Sequence, residues 1–179
     1  MLNFNNDVKY TKSNEWAKKF ENFIRVGIDD YSQSSLGDIV HVEISEIGTH
    51  VEAGKPFGKI EATKSVSDIN SPVSGVITKI NNEVIENPGI INIAPFDEGW
   101  LIEIEPENIS EFDALMDSGE YKKFISKRQL QNELNKLKIS KTKFSGNTDI
   151  IIMFQWPKHT IFKFPLLSAV LMINVYSAT

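Results

Sequence analysis

Lys64 is the residue in this sequence best placed to do chemistry. It stands in Glu61-Ala62-Thr63-Lys64-Ser65-Val66-Ser67-Asp68, between two strand-like stretches, Phe57 to Glu61 and Val66 to Ile69. So few residues join the two that the lysine falls at or beside the tip of a hairpin. There the amine projects from the surface while the flanking strands fix its position, which suits covalent modification by another enzyme. Glu61 and Asp68 flank it, and Gly54-Lys55-Pro56-Phe57-Gly58 leads into it. Two other readings compete. A loop lysine can simply be solvated, or it can serve as a nucleophile or base. The last needs a desolvated amine in a pocket, and a tip flanked by Thr63 and Ser65 should be wet.

Composition removes several other chemistries. The 179 residues include no Cys, which excludes a disulfide framework, a thiolate metal site, an iron–sulfur cluster and a cysteine nucleophile. The three His (His41, His50, His159) are too scattered to suggest a metal centre. A net charge of −5 and a pI near 5.3 argue against a general nucleic-acid binder. The charge is unevenly distributed. Residues 1–125 carry 11 Lys/Arg against 22 Asp/Glu, and residues 126–179 carry 8 against 2, so a body of net −11 is followed by a tail of net +6.

The elements that must position Lys64 read as short strands separated by turns. Asp30 to Gly37 predicts a short helix, with an acidic residue capping its start and Gly37 closing it. In Ile39 to Ile44 the alternation puts Val40, Val42 and Ile44 on one face and His41 and Glu43 on the other. His41 is thus a surface strand residue. Gly48, Gly54, Gly58 and Gly75, with Pro56 and Pro72, punctuate further strands over 49–51, 57–61, 66–69 and 76–80. Trp100, Ile102 and Ile104 form the inward face of a later strand, and the whole predicts a small sandwich or flattened barrel. After Pro106, Ser110-Glu111-Phe112-Asp113 resembles a capping-box start, and Gly119 is expected to divide two C-terminal helices.

The hairpin, with Asn70-Ser71-Pro72-Val73-Ser74-Gly75 after it, closely resembles the lipoyl-attachment region of the glycine cleavage H-protein family. Biotinyl domains normally set Met on both sides of the lysine, and lipoyl domains of 2-oxoacid dehydrogenases usually set Asp before it. This chain has Thr63 and Ser65. Other blocks carry the same resemblance. They include Ser13-Asn14-Glu15-Trp16, with Asn14 where the family usually has His, and Val26-Gly27-Ile28-Asp29-Asp30-Tyr31-Ser32-Gln33. Leu36-Gly37-Asp38-Ile39-Val40, Asn87-Pro88-Gly89-Ile90-Ile91-Asn92, Gly99-Trp100-Leu101-Ile102 and Tyr121 to Phe124 follow. The resemblance spans about residues 8–125, with a lipoyl-bearing core at about 23–105.

The resemblance implies a β-rich α+β fold of the lipoyl/biotinyl hammerhead type, with a short N-terminal helix and C-terminal helices. It implies a carrier and no catalysis by the chain itself. Lys64 would be amide-linked to lipoate by a lipoate ligase or a lipoyl/octanoyl transferase. The arm would take the aminomethyl group of glycine from a pyridoxal-phosphate glycine decarboxylase and pass it to a folate-dependent aminomethyltransferase. A flavin dihydrolipoamide dehydrogenase would then reoxidise it. An alternative implied by the same scaffold is a relay that passes lipoyl groups to 2-oxoacid dehydrogenases. By motif position Ser13, Glu15 and Asp68 would border the cleft that shelters the loaded arm, and Glu61 would serve recognition by the attaching enzyme. No metal, nucleic acid or membrane enters this scheme. The compartment would be mitochondrial in a eukaryote and cytoplasmic in a bacterium.

Residues 126–179 match nothing in the family. They are basic to Lys143, then apolar, with runs at Ile150–Phe154 and Phe164–Val175 that Lys158, His159, Lys163, Pro157 and Pro165 keep too short for a membrane span. They read as a disordered extension or as translated sequence foreign to the natural protein. Met1 to Tyr10 shows neither the apolar stretch of a secretory signal nor the Arg of a transit peptide.

Overall fold

Short apolar/polar alternating runs between glycine and proline turns pair in this chain as antiparallel strands of two to seven residues. The computed structural model describes residues 2–136, 140–141 and 152–153. The chain divides into one unit over residues 1–127 and another over 128–179. The elements begin with β1 (Lys9–Tyr10), β2 (Glu15–Lys19), β3 (Ile24–Ile28), α1 (Asp30–Leu36), β4 (Ile39–Ile44) and β5 (His50–Val51). β6 (Pro56–Ala62), β7 (Ser65–Asn70), β8 (Gly75–Ile80), α2 (Asn82–Glu86), α3 (Ile90–Ile93) and β9 (Ile102–Pro106) follow. After them come α4 (Ile109–Asp113), α5 (Ser118–Lys136), β10 (Ser140–Lys141) and β11 (Ile152–Met153).

In the first unit a six-stranded sheet of order β1-β2-β3-β9-β8-β5 faces a three-stranded sheet of order β4-β6-β7. The fold is therefore the expected sandwich in its open form, not a closed barrel. Ile24, Val26, Ile77, Ile102 and Ile104 from the larger sheet meet Val42, Phe57, Ile60 and Ile69 from the smaller in one buried core. Each such side chain contributes about 2 kcal/mol relative to exposure, so this layer holds the two sheets together.

Alternation along β2 sends Ala17 into that core and Trp16 into a second cluster with Val8, Tyr10, Phe96, Tyr121 and Ile125. Gly27, paired with Trp16 across β2 and β3, is dictated by this packing. A Cβ there would lie 2.6 Å from Trp16 Cζ2. Tyr10 and Tyr121 stack with centroids 4.3 Å apart and rings nearly parallel, which docks the start of α5.

Three local expectations are corrected. Val40 is 56 % exposed, because a register shift between Ile39 and His41 in the β4–β6 pairing turns Ile39 inward in its place. The helix after Pro106 is capped by Asn108, whose side chain accepts the Ser110 N–H; Ser110 is already inside it. The break between the C-terminal helices falls at 114–117, where Met116 and Tyr10 exchange backbone hydrogen bonds, and Gly119 lies in the first turn of α5. Glu103 is buried although it lies on the polar side of β9. Arg25 on the neighbouring strand covers it and donates through Nη2 at 2.6 Å.

In the second unit β10 and β11 pair antiparallel, Ser140 with Met153 and Lys141 with Ile152. The apolar run Phe164–Val175 lies outside the described residues. Among the described residues no helix is long and apolar enough to cross a membrane.

Candidate functional site at the Lys64 turn

β6 and β7 pair down to Ala62–Ser65, which leaves Thr63 and Lys64 as a two-residue turn. Neither takes a positive φ, so the turn is not one of the primed types that Asn-Gly or Asp-Gly would announce. The Ala62–Ser65 pair closes it, and it is also held from outside. The Thr63 N–H donates to the Asp38 carbonyl at 3.0 Å, and Ile39 pairs with Ala62. Lys64 itself is exposed, and among the described residues its amine has no hydrogen-bond or ion-pair partner. A depression of about 240 Å³ between Glu43–Ser45 and Pro56–Lys59 lies at the opposite end of the β4–β6 pair, since Ile44 is in register with Gly58.

Glu61 and Asp68 are exposed on the outward face of the same hairpin, Glu61 opposite Val66 and Asp68 opposite Lys59. Alternation puts Val66, Asp68 and Asn70 on that face too. This row ends at the other two predicted residues. Asn70 donates its backbone N–H (2.9 Å) and its side-chain amide (3.3 Å) to Glu15 Oε1. Glu15 Oε2 accepts from the Ser13 hydroxyl at 2.7 Å and from the Thr11 hydroxyl. Ser13 and Glu15 thus form one group, with Ser13 at the surface and Glu15 only 1 % exposed. Lys64 and Glu61 form another at the tip, and Asp68 lies between the groups, two residues from Asn70. At about 3.4 Å per residue the six residues from Lys64 to Asn70 separate the two by about 20 Å.

The sequence reading did not single out a third polar group. Asp29, 1 % exposed, caps α1 by accepting the Ser32 N–H at 2.8 Å. The Tyr121 hydroxyl lies 2.7 Å from Asp29 Oδ2 and 3.1 Å from Asn14 Oδ1. Burial pushes the Asp29 carboxyl up to about 6, against the hydrogen bonds from Tyr121 and the Ser32 and Tyr31 amides, which favour the charged form. Asn14, in the place the family usually gives to His, has φ 79 and accepts the Asp29 N–H on its carbonyl. Asn is one of the few side chains that tolerates this conformation. Asn92 was also missed as a contributor. Its amide bonds to Ile39, Gly37 and Gln33, and the visible signal was its place at the end of Asn87-Pro88-Gly89-Ile90-Ile91-Asn92.

Fold and turn together describe a two-sheet scaffold that displays an exposed lysine at a hairpin tip. The family model described as "Glycine cleavage H-protein" matches residues 8–128. A glycine cleavage system H protein of Halalkalibacterium halodurans is 44% identical over 126 residues, 70% of this chain and 98% of that protein. The mitochondrial glycine cleavage system H protein 2 of Arabidopsis thaliana is 43% identical over 126 residues, 70% of this chain and 81% of the relative. The crystal structure of a glycine cleavage system H protein from Mycobacterium marinum superposes with a TM-score of 0.60 at 33% identity, covering 65% of this chain and 94% of that one. This chain belongs to the glycine cleavage H-protein family, whose members are carrier subunits.

Proposed function

We propose that this protein carries a lipoyl group on Lys64 and is the substrate carrier of glycine cleavage. The observation that supports this most directly is the Lys64 amine, exposed and without a hydrogen-bond or ion-pair partner among the described residues, on a turn anchored from both strands and from the Asp38 carbonyl. An attaching enzyme, whether a ligase or a lipoyl/octanoyl transferase, can reach such an amine without unfolding anything. Lipoate amide-linked there supplies a dithiolane that accepts the aminomethyl group of glycine and returns electrons for reoxidation. The redox sulfurs belong to the arm, so a chain without Cys is adequate.

The chain's own residues hold and shelter that arm. The strands fix the turn, and tethering gives each partner site a high local concentration of the carried group. Amide formation removes the Lys64 charge, which leaves the outward face of the small sheet with Glu43, Glu61 and Asp68 against Lys59. The row Val66–Asp68–Asn70 leads from the turn to Ser13, and it is the path on which a loaded arm would lie. Asp68 has no side-chain hydrogen bond among the described residues, so its carboxylate can face a protonated amine. Glu15 fixes the far end of the path through Asn70, Thr11 and Ser13. Glu61 is offered to the attaching enzyme. The partners are the pyridoxal-phosphate glycine decarboxylase, the folate-dependent aminomethyltransferase and the flavin dihydrolipoamide dehydrogenase. An exposed amine is unsuited to nucleophilic catalysis, which requires desolvation.

Reconstitution with those three enzymes, tetrahydrofolate and NAD tests the proposal. Lipoylated protein supports glycine-dependent NADH formation, and the same protein left unlipoylated does not. NADH formation independent of lipoylation would overturn it.

A further inference from the structure

Outside its own hairpin, the Lys64 turn is anchored on the 38–39 segment, and that segment is gripped by one side chain. Thr63 N–H donates to Asp38 O, and Asp38 lies between Gly37 and Ile39. Asn92, on α3 and 28 residues further along the chain than Lys64, grips both neighbours. Its Oδ1 accepts the Ile39 N–H at 3.0 Å, and its Nδ2 donates to the Gly37 carbonyl at 3.0 Å and to Gln33 Oε1 at 3.0 Å. The orientation of the amide is unambiguous, because a backbone N–H can only donate and a backbone carbonyl can only accept. Gln33 is itself held by donating to Asp30 Oδ1 at 2.7 Å.

The grip falls where the backbone most needs it. Gly37 has φ 83, a conformation open to glycine and reached as the chain leaves α1 for β4. One residue beyond Ile39 the β4–β6 register shifts. The ladder therefore joins the 37–39 segment to the hairpin only at the Ile39–Ala62 pair. A side chain bonded to residues 37 and 39 fixes residue 38 between them, and through its carbonyl the turn.

We infer that Asn92 is a positioning residue for the modification of Lys64: its amide holds Gly37 and Ile39 so that Asp38 presents an ordered Thr63–Lys64 turn to the attaching enzyme. The inference rests on the proposed lipoylation of Lys64. A loosened turn must be ordered on binding, so loss of the amide raises KM and leaves kcat nearly unchanged.

The test compares wild type with Asn92→Ala and Asn92→Asp. Two hydrogen bonds lost from the 37–39 segment correspond to about a tenfold rise in amide exchange at Thr63 and Ile39, while the core amides of β3 and β9 keep their protection. Asn92→Asp keeps the acceptor for Ile39 and loses the donor to Gly37, so Ile39 stays protected and Thr63 loosens. With a lipoate ligase, Asn92→Ala shows KM for the carrier raised about tenfold with kcat within about twofold. Acetylation of Lys64 by acetic anhydride proceeds at the wild-type rate, because the amine was exposed already. A folded Asn92→Ala or Asn92→Asp protein with unchanged Thr63 exchange and unchanged KM overturns the inference. Should the ligase leave wild-type Lys64 unmodified, the lipoylation reading fails, and the Thr63 exchange still decides whether Asn92 orders the turn.

Discussion

The carboxylates of this molecule fall into two regions with opposite surroundings. Glu61 and Asp68, on the Lys64 hairpin, are exposed and make no side-chain hydrogen bonds among the described residues. Glu15 and Asp29 are each 1 % exposed and saturated with donors from other elements. A buried carboxylate survives only if its lone pairs are filled, and filling them ties strands and helices together. An exposed one costs nothing to keep and remains available to a partner. The first region can thus change its chemistry without disturbing the fold, and the second cannot change without disturbing it.

The comparison breaks first, and with the largest effect, at Lys64. Lys64→Arg abolishes glycine-dependent turnover in the reconstituted system, while its unfolding free energy stays within about 0.5 kcal/mol of wild type, as expected for an exposed side chain. Glu15 gives the reverse. Glu15→Ala strands the Asn70 N–H and two hydroxyls and lowers unfolding free energy by about 2–4 kcal/mol, with Glu15→Gln less damaging because it keeps an acceptor. Equilibrium urea unfolding checks both.

Asp29 sharpens the contrast through pH. Its folded value of about 6 lies above its ordinary 3.8, so the folded state holds this proton more tightly than the unfolded chain. Its contribution is present below about pH 4 and is lost as pH rises toward 6, on the order of 3 kcal/mol in all. The Tyr121 hydroxyl stabilises the charged form, so Tyr121→Phe raises the Asp29 value further. That variant loses about 1–2 kcal/mol, and the loss is larger at pH 7 than at pH 5. A loss that is the same at both values would show that Asp29 does not titrate with its Tyr121 bond.

The smallest effect belongs to the contact of His50 Nε2 with Glu107 Oε1, 2.9 Å long with both side chains about half exposed. His50→Ala changes stability by about 0.5 kcal/mol or less.

Where local sequence decides structure, the reading from sequence succeeded. Asp29 and Gly37 bracket α1, strands follow Pro56 and Gly75 as expected although each begins one residue earlier, and the two runs around Lys64 form the hairpin, because capping, fixed φ and alternation act within a few residues. It failed where distant residues decide. Val40 points outward only because of a register shift against β6, and Glu103 is buried only because Arg25 covers it. Glu15 looks like any strand carboxylate until Asn70, 55 residues away, donates to it. Asn92 was marked only by the block it closes, and its role depends on three partners in another part of the chain.

The measurement that bears most directly on the whole account is an intact mass followed by a peptide map, on full-length protein expressed with lipoate and a lipoate ligase. The account predicts a single lipoyl increment, confined to the peptide that contains Lys64 and missing from Lys64→Arg. No increment, a biotinyl increment, or a lipoyl group that persists in Lys64→Arg would contradict it.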